Sequence, residues 1–320
     1  MRNVKPVVFI SKCIEQSPCR WNGAIIASAE VKQLLPFIDL KTACPEADIG
    51  LGIPRDPIRL ELHGEEIRLV QPSTQRDLTN EMTLFSEDLC RGLKDIDGFI
   101  LKSKSPSCGF KEVKIYANAN SKTKSGYGAG IFGQMVMTHF PHLMIEDEGR
   151  LTNLKIRDHF LTAIFTLARF REIKKNLKMA DLVAFHASHK FLFLAYNQKQ
   201  MRVLGKITAN LDKRPIEHVF EDYQLNLRLV FKTQVRIKNV LNVWMHIMGF
   251  FSEQLNSAEK QNLLDKMDEY VSDTVPASVV TELLYSLCIR FNHGYLLNQY
   301  FFKPYPKELM NIHDSARRRI

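Results

Sequence analysis

Apolar residues come in short, dense runs through the first half of the chain and at helical spacing through the second. Val7-Val8-Phe9-Ile10 is one such run, and residues 6–11 are predicted to form a buried strand. Phe37-Ile38-Asp39-Leu40, Gly98-Phe99-Ile100-Leu101, Val113-Lys114-Ile115-Tyr116-Ala117 and Leu143-Met144-Ile145 read as further strands. Residues 60–69 predict a hairpin that turns at Gly64. Helices are expected over 28–36, where Pro36 breaks the run, from Asp77-Leu78-Thr79 to about Leu93, and over 130–140. Strands alternating with helices predict an open α/β sheet.

From about residue 151 the pattern changes. Gly and Pro become scarce, and helices are expected over 156–173, 178–196, 197–211, 214–231, 234–255, 257–270 and 276–298. The expected organisation is therefore an α/β N-terminal domain with a small open, Rossmann-like sheet over 1–152, and an all-α C-terminal domain over 153–320. Phe160, Phe165, Phe170, Phe185, Phe191, Phe193 and Tyr196 follow helical spacing and read as core, not as a base-stacking platform. The tail from Phe301, with Pro304, Pro306 and Arg317-Arg318-Arg319, reads as loose.

Composition adds limits. A chain of 320 residues that is 45% hydrophobic can bury large cores without disulfide staples. No apolar run approaches the roughly 18 residues of a membrane span, and Val7–Ile10 is too short for a signal-peptide core. A cytoplasmic protein is expected, with its six cysteines as thiols or metal ligands. Residues 1–150 hold 19 Lys/Arg and 19 Asp/Glu, so the whole net charge of +9 falls in 151–320. That excess fits RNA contact or a solvated, Lys-rich helix surface.

The candidate chemistry centres on Ser103-Lys104-Ser105-Pro106-Ser107-Cys108-Gly109. This turn follows the buried run 98–101 and puts a cysteine where open α/β sheets bind ligands, at the C-terminal end of a strand. Ser11-Lys12-Cys13 and Cys44-Pro45-Glu46 follow apolar segments in the same way. Free cysteines are commonly small core residues, and Cys90 and Cys288 read as such. Cys13, Cys44 and Cys108 instead have polar company in Ser11, Glu46, Ser105 and Ser107, and Cys19 is a nearby fourth thiol. Gly128-Ala129-Gly130-Ile131-Phe132-Gly133 matches a dinucleotide fingerprint, but no strand is evident just before it, because the stretch 118–125 is polar. A glycine turn that starts a helix is expected there. His186 and His189 stand three apart on one expected helix and read as packing or substrate-contacting residues. Arg20 and Arg55 read as loop arginines, in structural pairs or on an anion.

An ordered set of motifs resembles the thiouracil desulfurase family. They are Ser11-x-Cys13 with Arg20-Trp21-Asn22-Gly23, where the family usually has Arg-Tyr-Asp-Gly, then Cys44-Pro45-Glu46 and Gly50-Leu51-Gly52-Ile53-Pro54-Arg55. Leu101-Lys102-Ser103-x-Ser105-Pro106-Ser107-Cys108-Gly109 and Gly128-x-Gly130 complete the set. Residues 182–190 and Leu204-Gly205 resemble a helical domain often fused to it. The family resemblance implies a [4Fe–4S] cluster held by Cys13, Cys44 and Cys108, with one iron open to a thiocarbonyl sulfur. It implies non-redox desulfuration of a 2-thiouracil-like pyrimidine with release of sulfide, the substrate form staying open between free base, nucleoside and a base within tRNA. Glu46 is the expected base and acid, and Ser105 or Ser107 is expected to relay a proton or hold the substrate, with the resemblance favouring Ser105. Ser11, Arg20 and Asn22 are the expected substrate contacts. Two other readings stay open: a persulfide-carrying sulfur-transfer or redox protein, and an RNA-associated module with a structural metal.

Overall fold

Val7–Ser11 (β1) is buried at all five positions, as its unbroken apolar run demands. The computed structural model describes residues 4–117 and 123–310. The triplet Arg317-Arg318-Arg319 and most of the polar stretch 118–125 lie outside them. The chain divides into two compact units, Met1–Phe160 and Leu161–Ile320.

In the first unit, Ala29–Leu34 (α1) links β1 to Asp39–Ala43 (β2). The Ser28 side chain caps α1 by accepting from Val31 N. The chain continues through Arg59–His63 (β3), Glu66–Gln71 (β4), Arg76–Asp77 (β5), Thr79–Gly92 (α2) and Gly98–Leu101 (β6). Val113–Tyr116 (β7), Lys124–Gly128 (β8), Ile131–His139 (α3) and Met144–Asp147 (β9) complete it. β2, β1, β6 and β9 lie side by side in that order, all parallel. The strand order reverses between β1 and β6, which opens a crevice at their C-terminal ends. Phe9, Phe99 and Phe132 fill the core beside this sheet, with ring centroids 5.8 and 5.3 Å from Phe9.

The expected small open sheet is this parallel one; the expectation that the remaining N-terminal strands join it needs correction. β5, β4, β3, β7 and β8 form a second sheet, antiparallel except for the β3–β7 pair. Val113–Tyr116 joins it because its buried and exposed positions alternate, whereas β6 is buried throughout. The 60–69 hairpin forms as β3 and β4, with Gly64 at φ +65°. A strand does precede the glycine motif: β8, which carries hardly any apolar signal and is held to β7 by backbone pairing. Gly130 starts α3, as expected.

Two of these glycines admit the backbone very closely. A Cβ on Gly130 would lie 2.5 Å from Ser107 O, and one on Gly133 would lie 2.3 Å from Gly109 O. The room is used by hydrogen bonds from Gly130 N to Gly109 O (2.7 Å), Ile131 N to Pro106 O (3.2 Å) and Gly133 N to Ser107 O (3.1 Å). The start of α3 thereby clamps the Ser-Pro-Ser-Cys-Gly turn. Gly133→Ala is expected to lower stability by about 1–3 kcal/mol, because the clash is with backbone that cannot swing aside. An unchanged urea midpoint would show that the clamp gives way freely.

The later helices are Leu154–Lys174 (α4), Met179–Tyr196 (α5), Gln198–Ala209 (α6), Ile216–Val230 (α7), Ile237–Gly249 (α8), Ser257–Val271 (α9), Ala277–Arg290 (α10) and Gly294–Leu297 (α11). The helix expected over 234–255 stops at Gly249, and the one expected over 276–298 breaks near Asn292, whose φ is +47°. The aromatic residues from Phe160 to Tyr196 named above are buried. No helix among the described residues is long and apolar enough to cross a membrane.

His186 and His189 pack against neighbouring side chains. His186 Nδ1 meets Tyr223 Oη at 3.1 Å, and His189 stacks on Phe185 and Tyr300. Arg169 Nε donates to His189 Nε2 at 3.1 Å, so the proton of a neutral His189 sits on Nδ1, facing Phe185 O at 2.8 Å. Burial pushes His186 down to about 4, aided by Lys190, and pushes His189 well below its ordinary value, aided by Arg169. Both rings are then neutral when folded but take up protons near pH 6.5 when unfolded. Stability is therefore full above about pH 6.5 and falls as pH drops toward 4, by up to about 1.4 kcal/mol per pH unit for each ring. Denaturant midpoints for the wild type and His186→Gln between these limits check this; the variant should show a shallower slope.

Candidate active site

Three strand ends build one cavity of about 380 Å³. β1 delivers Ser11, Lys12 and Cys13; β2 delivers Ala43, Cys44 and Glu46; the turn after β6 delivers residues 102–108. Cys19, Arg20, Trp21, Arg55, Pro57 and Ile58 complete the lining. The expected residues Cys13, Cys44, Cys108, Glu46, Ser105, Ser107, Ser11 and Arg20 all come together here. Asn22 does not line the cavity; its Oδ1 accepts from Ala24 N at 3.2 Å and shapes the turn.

Four thiols face this cavity, all free and buried. Burial pushes Cys13 up to about 12, and negative charge on Cys19 or Cys44 adds to this while Lys102 opposes it. Cys19 is also pushed up to about 12, by burial and then by Cys44. Cys108 lies well above the ordinary thiol value through burial and then Cys13, against a hydrogen bond from Ser11. Each of these three thiols keeps its proton until a cation displaces it. Cys44 Sγ meets Cys19 O at 3.6 Å and Arg55 Nη2 at 4.0 Å. Among the described residues, no three His, Cys, Asp or Glu side chains close on a single metal ion.

Glu46 sits at the centre of a hydrogen-bonded chain. Arg55 donates to its Oε2 from Nη2 at 2.7 Å and from Nε at 3.0 Å. Ser107 Oγ donates to its Oε1 at 2.6 Å, and Ser105 Oγ lies 2.9 Å from Ser107 Oγ. The one hydroxyl proton of Ser107 goes to Glu46, so Ser105 donates to Ser107. Ser105 Oγ also accepts from Ser107 N at 3.3 Å and Cys108 N at 3.1 Å, which fixes the turn that carries Cys108. Arg55 is only 3% exposed and also binds Gly52 O and Cys19 O, so its structural pairing is with the carboxylate of the site.

Sequence reasoning gave Lys102 and Glu148 no role. Lys102 lines the cavity and gives its ammonium to Glu148 and to Ser103. Burial works against the Glu148 carboxylate, but the bonds from Lys102 and Ser103 outweigh it and hold it below its ordinary value. Leu101 and Asp147 are register partners on β6 and β9, so the residues that follow each emerge side by side, a pairing no local sequence pattern records. Ser11 Oγ, expected to touch substrate, accepts from Lys102 N at 3.0 Å.

A cavity lined by thiols and a carboxylate at the switch point of a parallel sheet defines a ligand-binding α/β domain. The comparisons with known proteins narrow the class. Residues 8–148 match the 2-thiouracil desulfurase family, and residues 190–306 match a family of unknown function, DUF1722. The chain belongs to the 2-thiouracil desulfurase family through its N-terminal unit. Over 114 residues it is 32% identical to the uncharacterized protein YbbK of Bacillus subtilis (strain 168), covering 73% of that protein and 32% of this chain. Over 161 residues it is 24% identical to the uncharacterized protein YbgA of Escherichia coli (strain K12), covering 95% of that protein and 50% of this chain. Among solved structures, the [4Fe-4S]-dependent thiouracil desulfidase TudS is similar at 27% identity over 46% of this chain and 94% of its own, with a TM-score of 0.38.

Proposed function

We propose that the N-terminal unit removes sulfur from a thiolated pyrimidine resembling 2-thiouracil, without redox turnover, and releases it as sulfide. The observation that carries this reading is the meeting of Cys13, Cys44 and Cys108 with Glu46 around one cavity, from three strand ends far apart in sequence. In this reading the three cysteines hold a [4Fe–4S] cluster. The donor set would suit it, because such a cluster takes thiolates and three cysteines line this one cavity. Cys13, Cys44 and Cys108 line the same cavity, and the charge of Cys13 and Cys44 adds to the burial that holds the Cys108 thiol protonated. When bound, such a cluster with three protein ligands supplies one open iron, a Lewis acid with affinity for soft sulfur.

The chain's own residues supply the rest. Glu46 takes a proton from the water that attacks the thiocarbonyl carbon. Arg55 orients the carboxylate and stabilises its ionised form. Ser107 and Ser105 continue the hydrogen bonds and return the proton toward the ring. Ser107 and the thiols of Cys13, Cys44 and Cys108 are themselves buried, which limits their contact with bulk water.

Purification without oxygen, iron and sulfide counts, and a sulfide-release assay on 2-thiouracil test the reading. Iron near four per chain with release of sulfide and uracil is expected. A protein that binds no iron, or binds it and releases no sulfide, overturns it. A persulfide carrier would instead show a sulfur adduct on one cysteine by mass spectrometry.

A further inference from the structure

We propose that the indole face of Trp21 is the stacking surface for the substrate ring, which makes Trp21 a specificity-determining residue of the cavity. The proposal rests on the desulfuration reading and deepens it. Trp21 is 45% exposed and yet lines the cavity, on the same loop as Arg20. Among the described residues it stacks on no other ring, and no cation lies over it. A large aromatic side chain is therefore both exposed and part of the lining, which also holds the apolar Pro57 and Ile58.

Its backbone is held firmly although its ring is not covered. Trp21 O accepts from Arg55 N at 2.7 Å, and the guanidinium of the same Arg55 holds Glu46 at 2.7 Å. Gly23 N closes the loop onto Arg20 O at 2.9 Å, with Gly23 at φ +71°, and Arg20 N reaches Ala24 O at 3.3 Å. The backbone that carries the indole is thus tied to the residue that holds the carboxylate proposed to work on the ring. The lining is mixed in kind: the turn 103–108 brings hydroxyls and a thiol, while Trp21, Pro57 and Ile58 bring apolar surface. A planar, aromatic thiocarbonyl suits both kinds of group, since every nucleobase has a π-face that an indole accepts. An open-chain thioamide gains little from the apolar part. Selection of aromatic thiocarbonyls over open-chain ones follows from that difference.

Fluorescence gives a direct test, because the chain has two tryptophans. Trp244 is 0% exposed, with its Nε1 on Thr281 Oγ1, so an added ligand reaches Trp21 alone. Uracil, which has no sulfur to lose, is the probe. Saturable quenching is expected in the full-length wild type and none in Trp21→Phe excited under the same conditions. In the sulfide-release assay, Trp21→Ala should raise KM for 2-thiouracil by about tenfold or more, with the loss in KM and not in kcat. Trp21→Tyr should recover most of it. Absence of saturable quenching, or a KM in Trp21→Ala equal to that of the wild type, overturns the proposal. A wild type that binds uracil in this way and releases no sulfide would keep the stacking assignment and remove the desulfuration reading. Sulfide release that ignores Trp21 would do the reverse.

Discussion

Cys108→Ser is expected to strip the iron from the protein and end sulfide release, with a loss of at least about a hundredfold. Changing an outer partner of a metal ligand already costs about 10–100-fold, and Cys108 is assigned as a ligand itself. Serine nearly matches cysteine in volume, so the buried turn survives. The clamp from α3 uses backbone carbonyls and is unaffected by the side chain. A hydroxyl is a hard, poorly acidic donor and does not replace a thiolate on iron. The same loss is expected for Cys13→Ser and Cys44→Ser. Cys19→Ser is the informative control, since Cys19 lines the same cavity. It should keep iron and activity. Loss of iron in Cys19→Ser would make Cys19 a fourth ligand, close the open iron and defeat the Lewis-acid account.

Glu46→Gln should lower sulfide release by roughly 10²–10⁴-fold, the range for losing a positioned acid–base group, while iron content stays at the wild-type level. The amide keeps the volume, and its one oxygen still accepts from Arg55 while its NH2 faces Ser107 Oγ, which must then accept instead of donate; the amide cannot take a proton at neutral pH. Glu46→Ala is the harsher variant, because it leaves Arg55, 3% exposed, without its carboxylate. Full activity in Glu46→Gln with iron retained would take the proton transfers away from Glu46. Iron counts separate this from the cysteine variants, since one set loses catalysis with the metal in place and the other loses the metal.

Much of the fold was legible along the chain. Runs such as Val7–Ile10 and Gly98–Leu101 are dense enough that only burial on both faces explains them, and both are central strands of the parallel sheet. The later helices were legible for the matching reason, a 3.6-residue apolar rhythm. β8 was not legible, because Lys124-Ser125-Gly126-Tyr127-Gly128 carries little side-chain signal and its strand depends on pairing to β7. Nor were the two sheets separable in advance: a strand's partner is chosen by the backbone geometry of others, which no local pattern records.

The amino-acid sequence by itself determined which side chains can do chemistry: cysteines, a glutamate and serines, each set where a buried strand ends and a Pro or Gly forces a turn. Side-chain type and local backbone preference suffice for that. Tertiary structure alone decided that Cys13, Cys44 and Cys108 share a cavity, that Arg55 holds Glu46 from nine residues away, and that Asn22 shapes a turn outside the cavity. It also decided that Lys102 finds Glu148 across adjacent strands. These are distances between segments remote in sequence, and they exist only once parallel strands stack in register and the helix that starts at Gly130 locks the last turn in place.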